Sequence, residues 1–131
     1  MKYLSHYLKE SQAQVMDAHG AFYAFNEKQF NESKKPDTEY VSMGGGLLCD
    51  KTHVKTFVPA MNNAIDTAVK ADIKENGIDA IIQRELANHE CQIVMSYADA
   101  LPALEGYGVT EQQVADGYKI FFARCVEEDL F

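Results

Sequence analysis

Glu39-Tyr40-Val41-Ser42-Met43-Gly44-Gly45-Gly46-Leu47-Leu48-Cys49 is the stretch whose reading decides the fold class of this chain. Glu39 to Ser42 has the β-branched and aromatic content of a strand, and Leu47-Leu48-Cys49 resumes an extended apolar path after the glycines. Three successive glycines between two such runs mark a tight turn, a bulge, or a close approach of backbone to another group. Everything outward of this stretch is mainly helical in pattern, so the expected class is α+β.

Upstream, Leu4, Leu8, Ser11, Val15 and Ala18 form one stripe of a helix over 2 to 18 that Gly20 ends. Ala21 to Phe25, bounded by Gly20 and Asn26, reads as a strand with Phe22 and Phe25 on the core face and Tyr23 on the other. Asn26 is placed to cap a short helix over 27 to 33. Lys34-Lys35-Pro36-Asp37 is a loop.

Downstream, Asp50 is the expected N-cap of a long helix whose stripe runs Val54, Phe57, Val58, Met61, Ile65, Ala68, Val69 and Ile73. Its register persists across Pro59, which predicts a kink or a restart there rather than an end. Asn76-Gly77 stops it, and a further helix runs from Ile78 to about His89. Cys91 to Tyr97, free of proline and glycine, reads as another strand. Asp99 to Leu104 is one helical turn or two, and Gly106-Tyr107-Gly108 is a turn. Thr110 with Gln113 forms a capping box ahead of the stripe Val114, Tyr118, Phe121, Phe122 and Cys125. The order α-β-α-β-β-α-α-β-α describes a small antiparallel sheet of about three strands covered by four or five helices.

At 131 residues the chain suits a single domain, 1–131, able to bury a core without disulfides or metal. Cys49, Cys91 and Cys125 are dispersed, contain no CxxC pair, and read as reduced core thiols. No secretory leader and no run of eighteen apolar residues is present, so the expected compartment is the cytoplasm. The net charge is −8, and residues 66 to 131 hold thirteen Asp/Glu against five Lys/Arg, whereas residues 1 to 65 hold seven of each. Such a surface disfavours direct nucleic-acid and membrane binding, which depend on Lys and Arg, and attracts a basic protein.

Arg84-Glu85-Leu86-Ala87-Asn88-His89-Glu90 concentrates the groups able to bind or move protons. On a helix Glu85 and His89 face each other, with Arg84 and Asn88 on the adjacent side. A carboxylate beside an imidazole orients a general base or a metal ligand, and the same spacing makes an ordinary helix salt bridge. The zinc-hydrolase helix needs two histidines four apart, and here Glu85 stands in the place of the first, so no metal and no catalytic set is assigned. Gly44, Gly45 and Gly46 lack the Gly-Lys-Ser/Thr of a phosphate-binding loop, leaving a hairpin turn or a backbone cradle for an anion. Tyr23 carries a hydroxyl free to line a site.

Several pieces together resemble an uncharacterised family of small proteins from bacteriophages and mobile elements. They are Phe22-Tyr23-Ala24-Phe25 with Gln29-Phe30, Met43-Gly44-Gly45-Gly46, Glu85-Leu86-x-Asn88-His89-Glu90, Asp99-Ala100-Leu101 and Gly108-Val109-Thr110. Leu47 and Cys91 depart from that pattern, each standing where an aromatic residue is expected (or, at Leu47, a further glycine). The resemblance implies a genomic setting and no activity.

Three functions follow as expectations. The first is a non-enzymatic anti-defence inhibitor in a bacterial host, docking Asp116, Glu127, Glu128 and Asp129 onto a basic surface of a defence protein. The second is a sponge in which Gly44, Gly45, Gly46, Tyr23, Arg84, Asn88 and His89 hold a phosphate-bearing, nucleotide-type molecule. The third, ranked last, is a metal-dependent hydrolase using Glu85, His89 and Glu90. No cofactor is expected, and self-association is open.

Overall fold

The computed structural model describes residues 1–131 and contains seven helices and three strands. In chain order they are α1 (Leu4–Ala18), β1 (Phe22–Tyr23), α2 (Glu27–Ser33), β2 (Tyr40–Gly44), β3 (Leu47–Asp50), α3 (Val54–Asn76), α4 (Ile78–Asn88), α5 (Cys91–Val94), α6 (Leu101–Leu104) and α7 (Glu111–Glu128). The α+β class read from the sequence is the one observed. The chain divides into two compact units, Leu4–Ala68 and Met1–Tyr3 with Val69–Phe131.

The first unit holds the whole sheet, antiparallel in the order β1-β3-β2. Gly44, Gly45 and Gly46 all take positive φ and turn β2 into β3. The register passes from Ser42↔Leu48 to Gly44↔Leu47, so Met43 is a bulge. The turn reading of the glycine run therefore describes its backbone. Ala21, Cys49 and Phe57 form the buried centre, with Val15, Met16, Met43, Leu47, Val54 and Met61 packed on it. Asn26 caps α2 as expected, accepting from Gln29 N at 2.9 Å while Gln29 Oε1 accepts from Phe25 N at 2.7 Å.

Tyr23 and Phe25 correct the assignment of faces. They are two residues apart, so with the period-2 alternation of extended chain they share a side. Their rings stack at 6.1 Å, 11° from parallel, and both are exposed. Phe25 is thus not a core residue; its ring lies over Gly46. A Cβ on Gly46 would come within 2.5 Å of Phe25 Cε1, at a φ of +83°. Gly46→Ala is expected to cost about 1–3 kcal/mol from strain and overlap. Gly45→Ala, where nothing lies within 4 Å, is expected to cost less. Urea denaturation of the two variants checks the difference.

In the second unit Ile81, Ile82, Leu86, Leu104, Val114 and Phe121 are buried with Cys91 and Cys125. α3 runs unbroken past Pro59, and Val58 and Ile65 of its expected stripe are exposed. The capping box of α7 forms, Thr110 Oγ1 accepting from Gln113 N at 3.1 Å and Gln113 Oε1 from Thr110 N at 2.7 Å.

The strand expected over Cys91 to Tyr97 is not one. Cys91–Val94 is a single helical turn between two left-handed residues, Glu90 at φ 49° and Met95 at φ 55°. A strand would alternate buried and exposed side chains, whereas Cys91 is buried and Ile93, Val94 and Met95 all face solvent. Every strand of the chain lies within Leu4–Ala68. The three cysteines are free and buried, as read, and burial pushes the Cys49 and Cys91 thiols up from their ordinary value.

Candidate functional site

α4 delivers Arg84 inward rather than to solvent. Its guanidinium grips Asp72 of α3 in a two-pronged pair, Nη1 to Oδ1 at 2.9 Å and Nη2 to Oδ2 at 3.0 Å. Nε donates to Glu85 Oε1 at 2.9 Å, and Nη1 also donates to the Lys2 carbonyl at 2.9 Å. Tyr107 donates its hydroxyl to Asp72 Oδ2 at 2.5 Å, and Asn76 Nδ2 donates to Oδ1 at 2.8 Å. Asp72 is fully buried, with Arg84, Glu85 and Tyr107 nearly so. Every prong of the arginine fork is used, which is the condition for keeping a charge out of water.

Burial alone would raise the Asp72 pKa. Hydrogen bonds from Arg84, Tyr107 and Asn76, with the Arg84 charge, outweigh it and hold the carboxyl below its ordinary value. Tyr107 moves the other way. Burial first, and then its bond to the Asp72 carboxylate, push its pKa up to about 12.

A depressed Asp72 contributes stability that is present above its unfolded pKa and is lost as pH falls through the lower folded value. A raised Tyr107 contributes stability that is complete below about pH 10 and is lost as pH rises toward its folded value, about 12. Tyr97, bonded to Glu111, and the partly buried Tyr118 are raised as well. Tyr107→Phe is therefore expected to flatten, not abolish, the fall in stability above about pH 10. Urea midpoints between neutral and strongly alkaline pH check this.

Sequence pattern predicts the Glu85–His89 pair, and it forms. His89 Nε2 lies 3.7 Å from Glu85 Oε2, with the imidazole partly exposed. Glu85 is thus shared between Arg84 and His89. No group of three or more His, Cys, Asp or Glu side chains is disposed to hold a metal ion, which leaves the hydrolase expectation without a ligand set. Asn88 is exposed at the end of α4.

The residues of the expected ligand site are divided between the two units. Gly44, Gly45 and Gly46 belong to the first unit and Arg84, Asn88 and His89 to the second. Tyr23 lines an open groove with Ser5, His6, Lys9 and Gln12 of α1. Sequence reasoning misses Asp72 and Tyr107. The signal is there for Asp72, which interrupts the apolar line Ala68, Val69, Ile73 at a core position of α3. A carboxylate at such a place requires a buried cation, and Arg84 is one of only five Lys/Arg after residue 65.

A model of a family of unknown function, DUF7659, matches residues 4–123. The chain belongs to that family. No curated protein and no solved structure matches it. The DUF7659 match takes in the Asp72–Arg84–Tyr107 cluster and stops before Glu127, Glu128 and Asp129.

Those three acids close α7 beside an exposed apolar face. Phe131 packs edge-on against Phe122, ring centres 5.6 Å apart, and Phe122 packs on Tyr118 at 5.8 Å. Met95, Tyr118, Lys119, Phe122 and Ala123 surround a shallow hollow of about 430 Å³. Ile93, Val94, Val126 and Leu130 are exposed in the same segments, and Met95 is 70% exposed. The Asp129 cap and the bond from Gln92 Nε2 to the Leu130 carbonyl, 2.9 Å, hold the end of the chain against α5. No helix of the chain is long and apolar enough to cross a membrane.

Proposed function

We propose that this DUF7659 protein is a non-enzymatic binding protein that docks a basic protein surface through the C-terminal end of α7. The observation that carries this reading is the apolar group of exposed Met95, Val126 and Phe131 with half-buried Phe122, adjoining Glu127, Glu128 and Asp129. An apolar centre with a charged border is the anatomy of a protein interface, and apolar groups gathered on one face of a small domain call for an explanation that scattered ones do not. Arg84, Asp72 and Glu85 are buried together, which leaves eleven Asp/Glu against four Lys/Arg in residues 66 to 131 outside the cluster, so the field at that surface stays strongly negative. In the phage setting that the sequence resemblance implies, the partner is a host defence protein and the chain its inhibitor.

Sequestration of a phosphate-bearing molecule by the Arg84 cluster is the weaker reading, because the guanidinium is already bonded on every side.

Cross-linking in the source cells tests the proposal. Lys119 lines the apolar hollow, so cross-links to a partner should originate there. Partner cross-links confined to Lys28, Lys34 and Lys35 of the first unit would contradict it.

A further inference from the structure

On the opposite flank of α7 from the apolar face, α4 and α7 enclose a second hollow, of about 400 Å³. Gly117 creates it. A Cβ there would lie 2.7 Å from Ile82 Cγ2, so only glycine lets α7 approach α4 this closely. The Gly117 carbonyl accepts from Gln83 Nε2 at 2.9 Å. That bond fixes the amide, since the flipped form would set two oxygens against each other, and it leaves Gln83 Oε1 buried without a partner.

Asp79, in the first turn of α4, and Asp116, one residue before Gly117, supply a carboxylate from each helix. Asp116 also accepts from Gln112 Nε2 at 2.9 Å. Ile82 and Ile120 give the hollow apolar wall, and no Lys or Arg lines it. The hollow therefore offers acceptors from two helices around an apolar floor, with no cation of its own to neutralise them.

Charge and shape select the occupant. A neutral apolar side chain would leave two carboxylates facing it, and an anion would be repelled. A lysine brings a single compact ammonium. An arginine brings an apolar stem for Ile82 and Ile120 and a planar fork of five donors matched to carboxylate oxygens. We propose that the α4–α7 groove binds an arginine side chain presented by a basic protein partner. This rests on the reading that α7 meets a basic protein, and it gives that surface a specific recognition point apart from the acidic end of α7.

The test is a titration of the full ¹⁵N-labelled chain with acetyl-Gly-Arg-Gly-amide, followed by NMR, with the citrulline and lysine versions alongside. Saturable shifts are expected at Ala80, Gln83, Asp116, Gly117 and Ile120 for the arginine peptide. The citrulline peptide, isosteric but uncharged, should give none. Asp79→Asn with Asp116→Asn should weaken binding roughly tenfold or more, each carboxylate bond to a guanidinium being charge-assisted. Glu127→Lys with Glu128→Lys and Asp129→Lys should leave the groove shifts in place, even if those reversals abolish docking of the protein partner. Equal binding of the lysine peptide overturns the assignment to arginine. Shifts that centre on Glu127 to Asp129, or no saturable shift at all, overturn the site. A groove that binds arginine in a chain whose end of α7 meets no partner would refute the proposed function and leave this inference standing.

Discussion

Replacing Asp72 by Asn is expected to lower the stability of the folded chain by about 3–5 kcal/mol, the usual cost of stranding one partner of a buried ion pair. The introduced amide would keep the size of the native side chain and one acceptor, but it would leave the Arg84 guanidinium with half of its charge compensation gone. Glu85 cannot take over, because Nε already donates to it. Small domains have about 5–15 kcal/mol in total, so the variant should sit near the edge of folding at about 37 °C. The companion variant, Asp72→Leu with Arg84→Met and Glu85→Gln, removes all three buried charges, Glu85 included because it pairs with Arg84 Nε, and should recover more than half of the loss, since the desolvation penalty goes with the charges. Denaturant unfolding of the single and triple variants checks both statements. A triple variant as unstable as Asp72→Asn would mean that the bond to the Lys2 carbonyl and the Tyr107 hydroxyl, rather than the charges, hold this region.

The second large effect is expected on binding and not on stability. Met95→Asp together with Phe131→Asp should weaken partner binding more than about thirtyfold, because truncated apolar anchors at an interface centre each cost about 2 kcal/mol or more. The loss should appear as faster dissociation, as is usual for interface mutants. The fold should tolerate both changes to within about 1 kcal/mol, since surface positions are forgiving. Met95 is 70% exposed and Phe131 59%. Aspartate is also at ease in the left-handed conformation of position 95, φ 55°. Interferometry against the captured partner, with a thermal melt as the control for folding, separates the two outcomes. A variant that binds normally would remove the apolar face from the interface.

Much of the fold is legible in the sequence because its signals are local. The Asn26 cap, the Thr110–Gln113 capping box, the Asn76-Gly77 stop and the glycine turn all act within a few residues, and each appears where its chemistry puts it. Cys91 to Tyr97 misleads because an apolar run without breakers fits a strand or a buried helix equally well, and only the partners decide. Here none of the strands lies in the same unit, and the outward turn of Ile93, Val94 and Met95 serves a surface instead.

The polar cluster shows the same division. The i, i+4 relation of Glu85 and His89 is readable from spacing and is present. The commitment of Arg84 to Asp72 and Tyr107 spans 12 and 23 residues of sequence, a long-range pairing that no periodicity carries. With it, a segment that looks like a site becomes the polar anchor of its unit, and the docking surface we propose lies on α7 instead.

That relocation is tested most directly by the association rate of the captured partner as a function of ionic strength. The account predicts a rate for the native chain that falls steeply with added salt, and a slow, nearly salt-independent rate for the chain carrying Glu127→Lys, Glu128→Lys and Asp129→Lys. Identical salt dependence in the two chains would contradict it.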